Sequence, residues 1–84
     1  MQSIENYSCL VTGGGTGIGQ GIAMHLTQLG ANVTITGRRR FPLEKTCDLI
    51  GPKCCFVVGD VTNEDDRKNM VNKAVAHGGG LQGL

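Results

Sequence analysis

The sequence predicts an α/β fold, a doubly wound parallel sheet left incomplete after three strand-helix units and the start of a fourth strand. Two observations carry this expectation. Short apolar or β-branched runs at residues 9–11, 31–36 and 54–58 alternate with segments of helical periodicity, and glycines punctuate the junctions. Units of this kind pack as parallel strands joined by right-handed crossovers, with helices on both faces of the sheet. The second observation is the stretch "CLVTGGGTGIGQGIAMHL", where six glycines fall within nine residues between an apolar run and a helix-like pattern.

Cys9, Leu10 and Val11 read as a buried strand, continuous in apolarity because a parallel strand is covered on both faces. A helix follows. Ile18, Ile22, Leu26 and Leu29 recur at helical spacing and mark its apolar face, and Gly30 stands where a left-handed C-terminal cap belongs. Residues 31–36, "ANVTIT", favour a strand and close on Gly37 and three arginines. The spacing of Leu43, Cys47 and Ile50 suits a second helix, with Pro42 tolerated in its first turn and Gly51-Pro52 stopping it. The third strand occupies 54–58. After Gly59-Asp60-Val61, Thr62 is placed as N-cap of a third helix, with Glu64, Asp65 and Asp66 at the positive end of its dipole. Met70, Val71, Ala74 and Val75 supply its apolar face until Gly78-Gly79-Gly80 ends it, and "LQGL" opens a fourth strand.

At 84 residues the chain forms one domain at most, and a chain this short buries roughly 60% of its unfolded surface. A formal net charge of +1 argues against nucleic acid or an anionic membrane surface as the main partner. No apolar run approaches the ~18 residues of a membrane span, and residues 1–8 lack the basic and apolar regions of a signal peptide, so a cytoplasmic location is expected. Cys9, Cys47, Cys54 and Cys55 lie in or beside apolar segments without the paired C-x-x-C spacing of a zinc or redox site. They are read as small core hydrophobes in a reducing compartment, and no metal site is expected. A Cys54–Cys55 redox pair is disfavoured because adjacent strand residues point to opposite faces.

Glycine surrenders more backbone freedom on folding than any other residue, so a cluster of six requires a geometric reason. Between a strand and a helix, glycines let the backbone turn tightly and present N–H groups to a phosphate at the helix's positive end. The triphosphate pattern G-x-x-x-x-G-K-[ST] fits Gly14 to Gly19 in spacing, but Gln20 and Gly21 replace the lysine and the metal-binding hydroxyl. The simple dinucleotide pattern G-x-G-x-x-G starts at Gly13 and Gly15 but ends on Ile18. What does fit is T-G-x-x-x-G-x-G, with Thr12, Gly13, Gly17 and Gly19 in place ahead of an apolar helix.

That arrangement closely resembles the short-chain dehydrogenase/reductase family. The likeness extends to "GANV" before the second strand, "TGR" at its end and "GDVT" after the third. It implies that residues 1–84 are the truncated N-terminal part of a single NAD(P)-binding, Rossmann-like domain. By resemblance, Gly13 permits the tight turn, Gly17 the close approach to the pyrophosphate and Gly19 the packing of helix on strand. Ile18 then lies beside the cofactor and Thr12 braces the turn. Gly14, Gly15 and Gly21 receive no role. Asp60 and Val61 match the family's acidic-hydrophobic pair, in which the carboxylate and the next backbone N–H read the adenine edge.

In a doubly wound fold an acidic residue at the end of the second strand selects NAD by holding the ribose 2′-hydroxyl. Gly37 occupies that place, and Arg38 and Arg39 follow it. A guanidinium offers the forked, permanently charged donors that a 2′-phosphate requires, so NADP is expected rather than NAD. Some family members also carry a basic residue just before the second motif glycine, where this chain has Thr16.

The family's hydride transfer relies on a Tyr-x-x-x-Lys pair, a serine and an asparagine, all beyond the third helix. The single tyrosine here is Tyr7, followed four residues later by Val11, so no catalytic residue is assigned. His25 and His77 are read as structural or solvated. The resemblance therefore implies the cofactor-binding half of an NADP(H)-dependent oxidoreductase acting on a small carbonyl or alcohol, with a homo-oligomer left open. The alternative is a non-catalytic fragment that binds nucleotide weakly or serves as an interaction surface. With no full fourth strand, the first strand should expose an unpaired apolar edge, and the chain alone is expected to be marginally stable and inactive.

Overall fold

The computed structural model describes residues 7–13 and 15–78 of the chain. Its elements follow the expected alternation: β1 (Ser8–Thr12), α1 (Gly17–Gln28), β2 (Asn32–Gly37), α2 (Arg40–Ile50), β3 (Cys54–Val58) and α3 (Glu64–Gly78). The strands form a parallel sheet in the order β1-β2-β3. Register runs from Ser8↔Asn32 to Thr12↔Thr36 and from Val33↔Cys54 to Gly37↔Val58, so Thr12, Gly37 and Val58 end together along one edge. The glycine loop, the arginine triplet and Asp60 all leave the sheet from that edge. The expected fourth strand and Gly14 fall outside the described residues.

Side-chain alternation sorts the strands into two layers. Cys9, Val11, Val33, Ile35 and Cys54 point to one face and form a core with Ala23 of α1 and Leu43 of α2. Leu10 points to the other, where it packs with Met70 and Ala74 of α3, and Val57 joins them. Thr34 and Thr36, also buried, occupy the same positions of alternation as Leu10's layer. The side chains of β1 from Ser8 to Val11 are thus covered on both faces, with Cys9, Leu10 and Val11 only 5–7% exposed. What remains open on β1, among the described residues, is the backbone edge away from β2, not an apolar side-chain surface.

The buried face of α1 is not the one its large residues mark. Ile18 is 81% exposed, Ile22 48% and Leu29 42%, whereas Gly19 and Ala23 are buried and Leu26 partly so. Gly19, Ala23 and Leu26 share a helical face at spacings of four and three. Two small residues on that face let the helix lie close to the sheet, and branched side chains would hold it off. The end of α1 is as expected: Gly30 has φ +99°, its N–H donates to the Thr27 carbonyl, and Ala31 N–H donates to that of Leu26. This pair of bonds is the Schellman arrangement.

At the start of α3 the cap is Asn63, one residue after the expected Thr62. Asn63 Oδ1 accepts the Asp66 N–H at 3.0 Å, while the Thr62 hydroxyl donates to Asp60 Oδ1 at 2.7 Å. Thr62 is committed to the preceding turn and so is not free to cap. Met70 and Ala74 are the buried apolar residues of α3, and Val71 and Val75 stay exposed. The Ser8 hydroxyl, donating to the Ala74 carbonyl at 2.7 Å, fastens α3 to β1. Among the described residues, no helix is long and apolar enough to cross a membrane.

Candidate functional site

The loop from β1 to α1 is a hydrogen-bonded turn. Gly13 has φ +72°, a conformation that L side chains rarely adopt, and its N–H donates to the Thr36 carbonyl at 2.9 Å. Thr16 braces this turn: its hydroxyl donates to the Gly13 carbonyl at 2.8 Å and accepts the Gly19 N–H at 3.2 Å as the N-cap of α1. In a helix that begins at Gly17, the N–H groups of Gly17 and Ile18 have no intrahelical acceptor, so they remain at the positive end of the dipole.

Each glycine of the loop has its own surroundings. A Cβ on Gly15 would fall 2.7 Å from Pro42 Cβ, so this glycine exists to let the loop touch the first turn of α2. Gly17 and Gly21 are the opposite case, with nothing within 4 Å of a would-be Cβ. No packing against this chain explains Gly17, which faces open space at the helix N-terminus.

The ends of β2 and β3 are joined by Gly59 N–H donating to the Gly37 carbonyl at 2.9 Å. Gly59 is tightly packed, since a Cβ there would lie 3.0 Å from Met70 Cε and 3.2 Å from Asp66 Cβ. Asp66 Oδ2 accepts the Asp60 N–H at 2.8 Å, and Asp60 Oδ1 accepts both the N–H and the hydroxyl of Thr62 at 2.9 and 2.7 Å. These two bonds from Thr62, the N–H first, hold the Asp60 carboxyl below its ordinary range against the opposing effect of desolvation, with Arg38 the least of the contributions.

The three arginines divide their work. Arg40 turns away, its Nε 2.8 Å from Glu44 Oε1 and its guanidinium 5.6 Å from the Phe56 ring centroid. Arg38 reaches toward Asp60, Nε to Oδ2 at 3.8 Å, and both side chains are solvent-accessible. Arg38 and Arg39 line a cavity of ≈ 240 Å³ together with Gly13, Gly15, Thr16 and Gly37. Arg38 also borders a second cavity, of ≈ 310 Å³, with Thr12, Gly13, Thr36, Gly59 and Val61. Thr36, another residue bordering it, has a buried hydroxyl with no hydrogen-bond partner among the described residues.

The fold thus gathers Thr12, Gly13, Arg38, Arg39, Asp60 and Val61 at one sheet edge, with Gly17 and Ile18 at the adjoining helix end. Gly19 lies inside, against the sheet. Thr16, Gly15, Gly59 and Thr36 were not marked by the sequence as parts of the site. A threonine just ahead of an apolar helix is a legible cap signal, but the close approaches at Gly15 and Gly59 depend on neighbours remote in sequence. Among the described residues, no cluster of three or more histidine, cysteine or acidic side chains could hold a metal ion.

Comparison with known proteins gives consistent matches. The family model for short chain dehydrogenase matches residues 8–84. A hydroxysteroid 11-beta-dehydrogenase 1-like protein from Xenopus tropicalis is 37% identical over 87 residues, covering 99% of this chain and 30% of the relative. Among solved structures, the 3-ketoacyl-(acyl-carrier-protein) reductase from Brucella melitensis complexed with NADH superimposes with a TM-score of 0.89 at 32% identity, over 94% of this chain and 33% of that one. A short-chain dehydrogenase/reductase of unknown function from Caenorhabditis elegans, solved with cofactor, gives a TM-score of 0.88 at 34% identity, over 96% and 32%. The chain spans about a third of the length of these relatives.

Proposed function

The chain belongs to the short-chain dehydrogenase family, and from that premise we propose that it is the cofactor-binding part of an NADP(H)-dependent oxidoreductase acting on a small carbonyl or alcohol. A dinucleotide would supply or accept the hydride. The residues of this chain would bind and orient it: N–H groups at the start of α1 for the pyrophosphate, Gly17 leaving room for it, and Asp60 with the Val61 N–H for the adenine edge. The uncrowded Gly17, the left-handed Gly13 and the unpartnered Thr36 hydroxyl fit such a ligand.

The observation that carries the NADP assignment is the placement of Arg38 between the two cavities, beside Gly37 rather than an acidic residue. A guanidinium there can meet a 2′-phosphate, whereas no carboxylate stands at Gly37 to hold a free 2′-hydroxyl. Arg39, at the rim of the first cavity, adds a second cation. A cytosolic site of action belongs to the same reading and suits the four free thiols. Isothermal titration with NADPH and NADH, on the chain and on any longer protein that contains it, is the test. We expect NADPH to bind at least tenfold more tightly, and equal or tighter NADH binding would overturn the arginine argument.

For these residues taken alone, nucleotide binding without turnover is the second reading. It is favoured by the sequence itself, where the one tyrosine, Tyr7, precedes the glycine loop and has Val11 four residues on. Carbonyl-dependent oxidation of NADPH by the 84-residue chain would exclude it.

A further inference from the structure

Away from the loop edge, two cysteines that are distant in type of element meet inside the α1/α2 layer. Cys47, in the last turns of α2, and Cys54, the first residue of β3, place their sulfurs 3.5 Å apart, and both are free thiols. Their backbones are held together through one residue: Gly51 N–H donates to the Cys47 carbonyl at 2.8 Å, and Cys54 N–H donates to the Gly51 carbonyl at 3.0 Å. Gly51 itself has φ +109° and open space around a would-be Cβ. A bond of about 2.05 Å requires the two sulfurs to approach by a further ~1.5 Å, and no side chain at Gly51 stands against such an adjustment of the turn.

Access comes from one side. Cys54 is 7% exposed, while Cys47 is partly open and lies with Cys54 and Cys55 along a cavity at the edge of β3 that is unpaired among the described residues. Arg40 and Lys73 flank that cavity from opposite faces of the sheet; Arg40 is already paired with Glu44, so Lys73 is the cation that favours a small molecule bearing carboxylates over a cationic one. Cys55 points to the other face, where its sulfur is 3.3 Å from the Thr34 hydroxyl, and so cannot substitute for Cys54 in this pair.

We propose that Cys47 and Cys54 form a reversible dithiol site that is oxidised to an intramolecular disulfide by a small anionic disulfide of the glutathione type. Cys47, as thiolate, attacks one sulfur of the incoming disulfide and releases the first thiolate. Cys54 then loses its proton and attacks Cys47 Sγ, releasing the second. The two protein thiols lose two protons and two electrons, and the oxidant leaves as two thiols. Cys47 is the more exposed of the two and therefore the entry point; burial pushes both thiols up in pKa, Cys54 the more strongly, so Cys47 is also the readier to ionise. This site is independent of the cofactor reading.

The experiment is incubation of the native chain with glutathione disulfide at pH 8, alkylation, tryptic cleavage and mass spectrometry. Cleavage after Lys53 separates Cys47 from Cys54, and a Cys55→Ser variant assigns the partner unambiguously. We expect the Cys47–Cys54 link to exceed all other cysteine pairs together by at least tenfold, to persist in Cys55→Ser, to revert with dithiothreitol, and to lose its preference in denaturant. In Cys54→Ser, Cys47 should accumulate as the mixed disulfide with glutathione. Pairings spread over the four cysteines, a mixed disulfide that persists at Cys47 in the unaltered chain, or no oxidation at all would each overturn the proposal.

Discussion

Arg38 and Asp60 leave the ends of neighbouring strands and meet at their rim, with Arg38 Nε 3.8 Å from Asp60 Oδ2. A pair this exposed adds little to stability, because solvent screens it and holding two side chains costs entropy. Its value is positional. The pair brings the residue proposed for the 2′-phosphate and the residue proposed for the adenine edge to the same opening, with Arg38 directly after Gly37, the last residue of β2.

The first expectation concerns that arginine. Arg38→Ala should weaken NADPH binding by about ten- to hundredfold, the worth of one charge-assisted hydrogen bond at ~1.5–3 kcal/mol, and leave NADH nearly unchanged. Titration calorimetry reads both. Equal losses for the two cofactors would place Arg38 on a part of the ligand that they share.

A second expectation is a titration. Asp60 is depressed first by the Thr62 N–H, next by the Thr62 hydroxyl, and least by Arg38. Its folded pKa lies below the ordinary 3.8, so its contribution to stability is present above that value and is lost as pH falls through the folded pKa. Thr62→Ala removes the hydroxyl alone and should raise the Asp60 midpoint part of the way. Carboxyl-carbon NMR would show it, and an unmoved midpoint would contradict the bonding described.

The glycines of the loop should separate by phenotype. Gly15→Ala drives a Cβ into Pro42 at 2.7 Å and should cost about 1–3 kcal/mol, seen as a lower melting temperature. Gly21→Ala meets nothing within 4 Å inside a helix and should stabilise by about 0.5–1 kcal/mol. Gly17→Ala should likewise leave the melting temperature unharmed, yet weaken NADPH binding by tenfold or more. A Gly17→Ala protein that binds as well as its parent would remove that glycine from the site.

Helix α1 offers a contrast between two adjacent residues. Ala23 is fully buried against the sheet, and Ala23→Leu should destabilise by about 1–3 kcal/mol or more through overpacking. Ile22, 48% exposed, should accept Gln within about 0.5 kcal/mol. Denaturant unfolding of the two variants checks this, and a reversed order would restore the isoleucine face as the buried one.

How much of this was legible beforehand differs from residue to residue. The strands were found to within a residue of their ends, because β-branched runs bounded by glycine and proline are a local signal. The cap at Gly30 was equally plain. The N-cap of α3 was not, since Thr62 and Asn63 are both suitable and the choice turns on whether Asp60 captures Thr62. Gly15 had no visible purpose until Pro42 arrived against it from the next helix.

The sequence by itself determined the alternation of strands and helices, the glycine loop between the first of each, and the substitution of Gly37-Arg38 for an acidic strand end. These are properties of neighbours along the chain. Tertiary structure alone decided that α1 buries Gly19 and Ala23 rather than its isoleucines, that Gly15 meets Pro42, and that Cys47 meets Cys54. Periodicity reports how apolar each face of a helix is. How close that face can come to a sheet depends on the size of the side chains between them, and that is known only once the two surfaces have met.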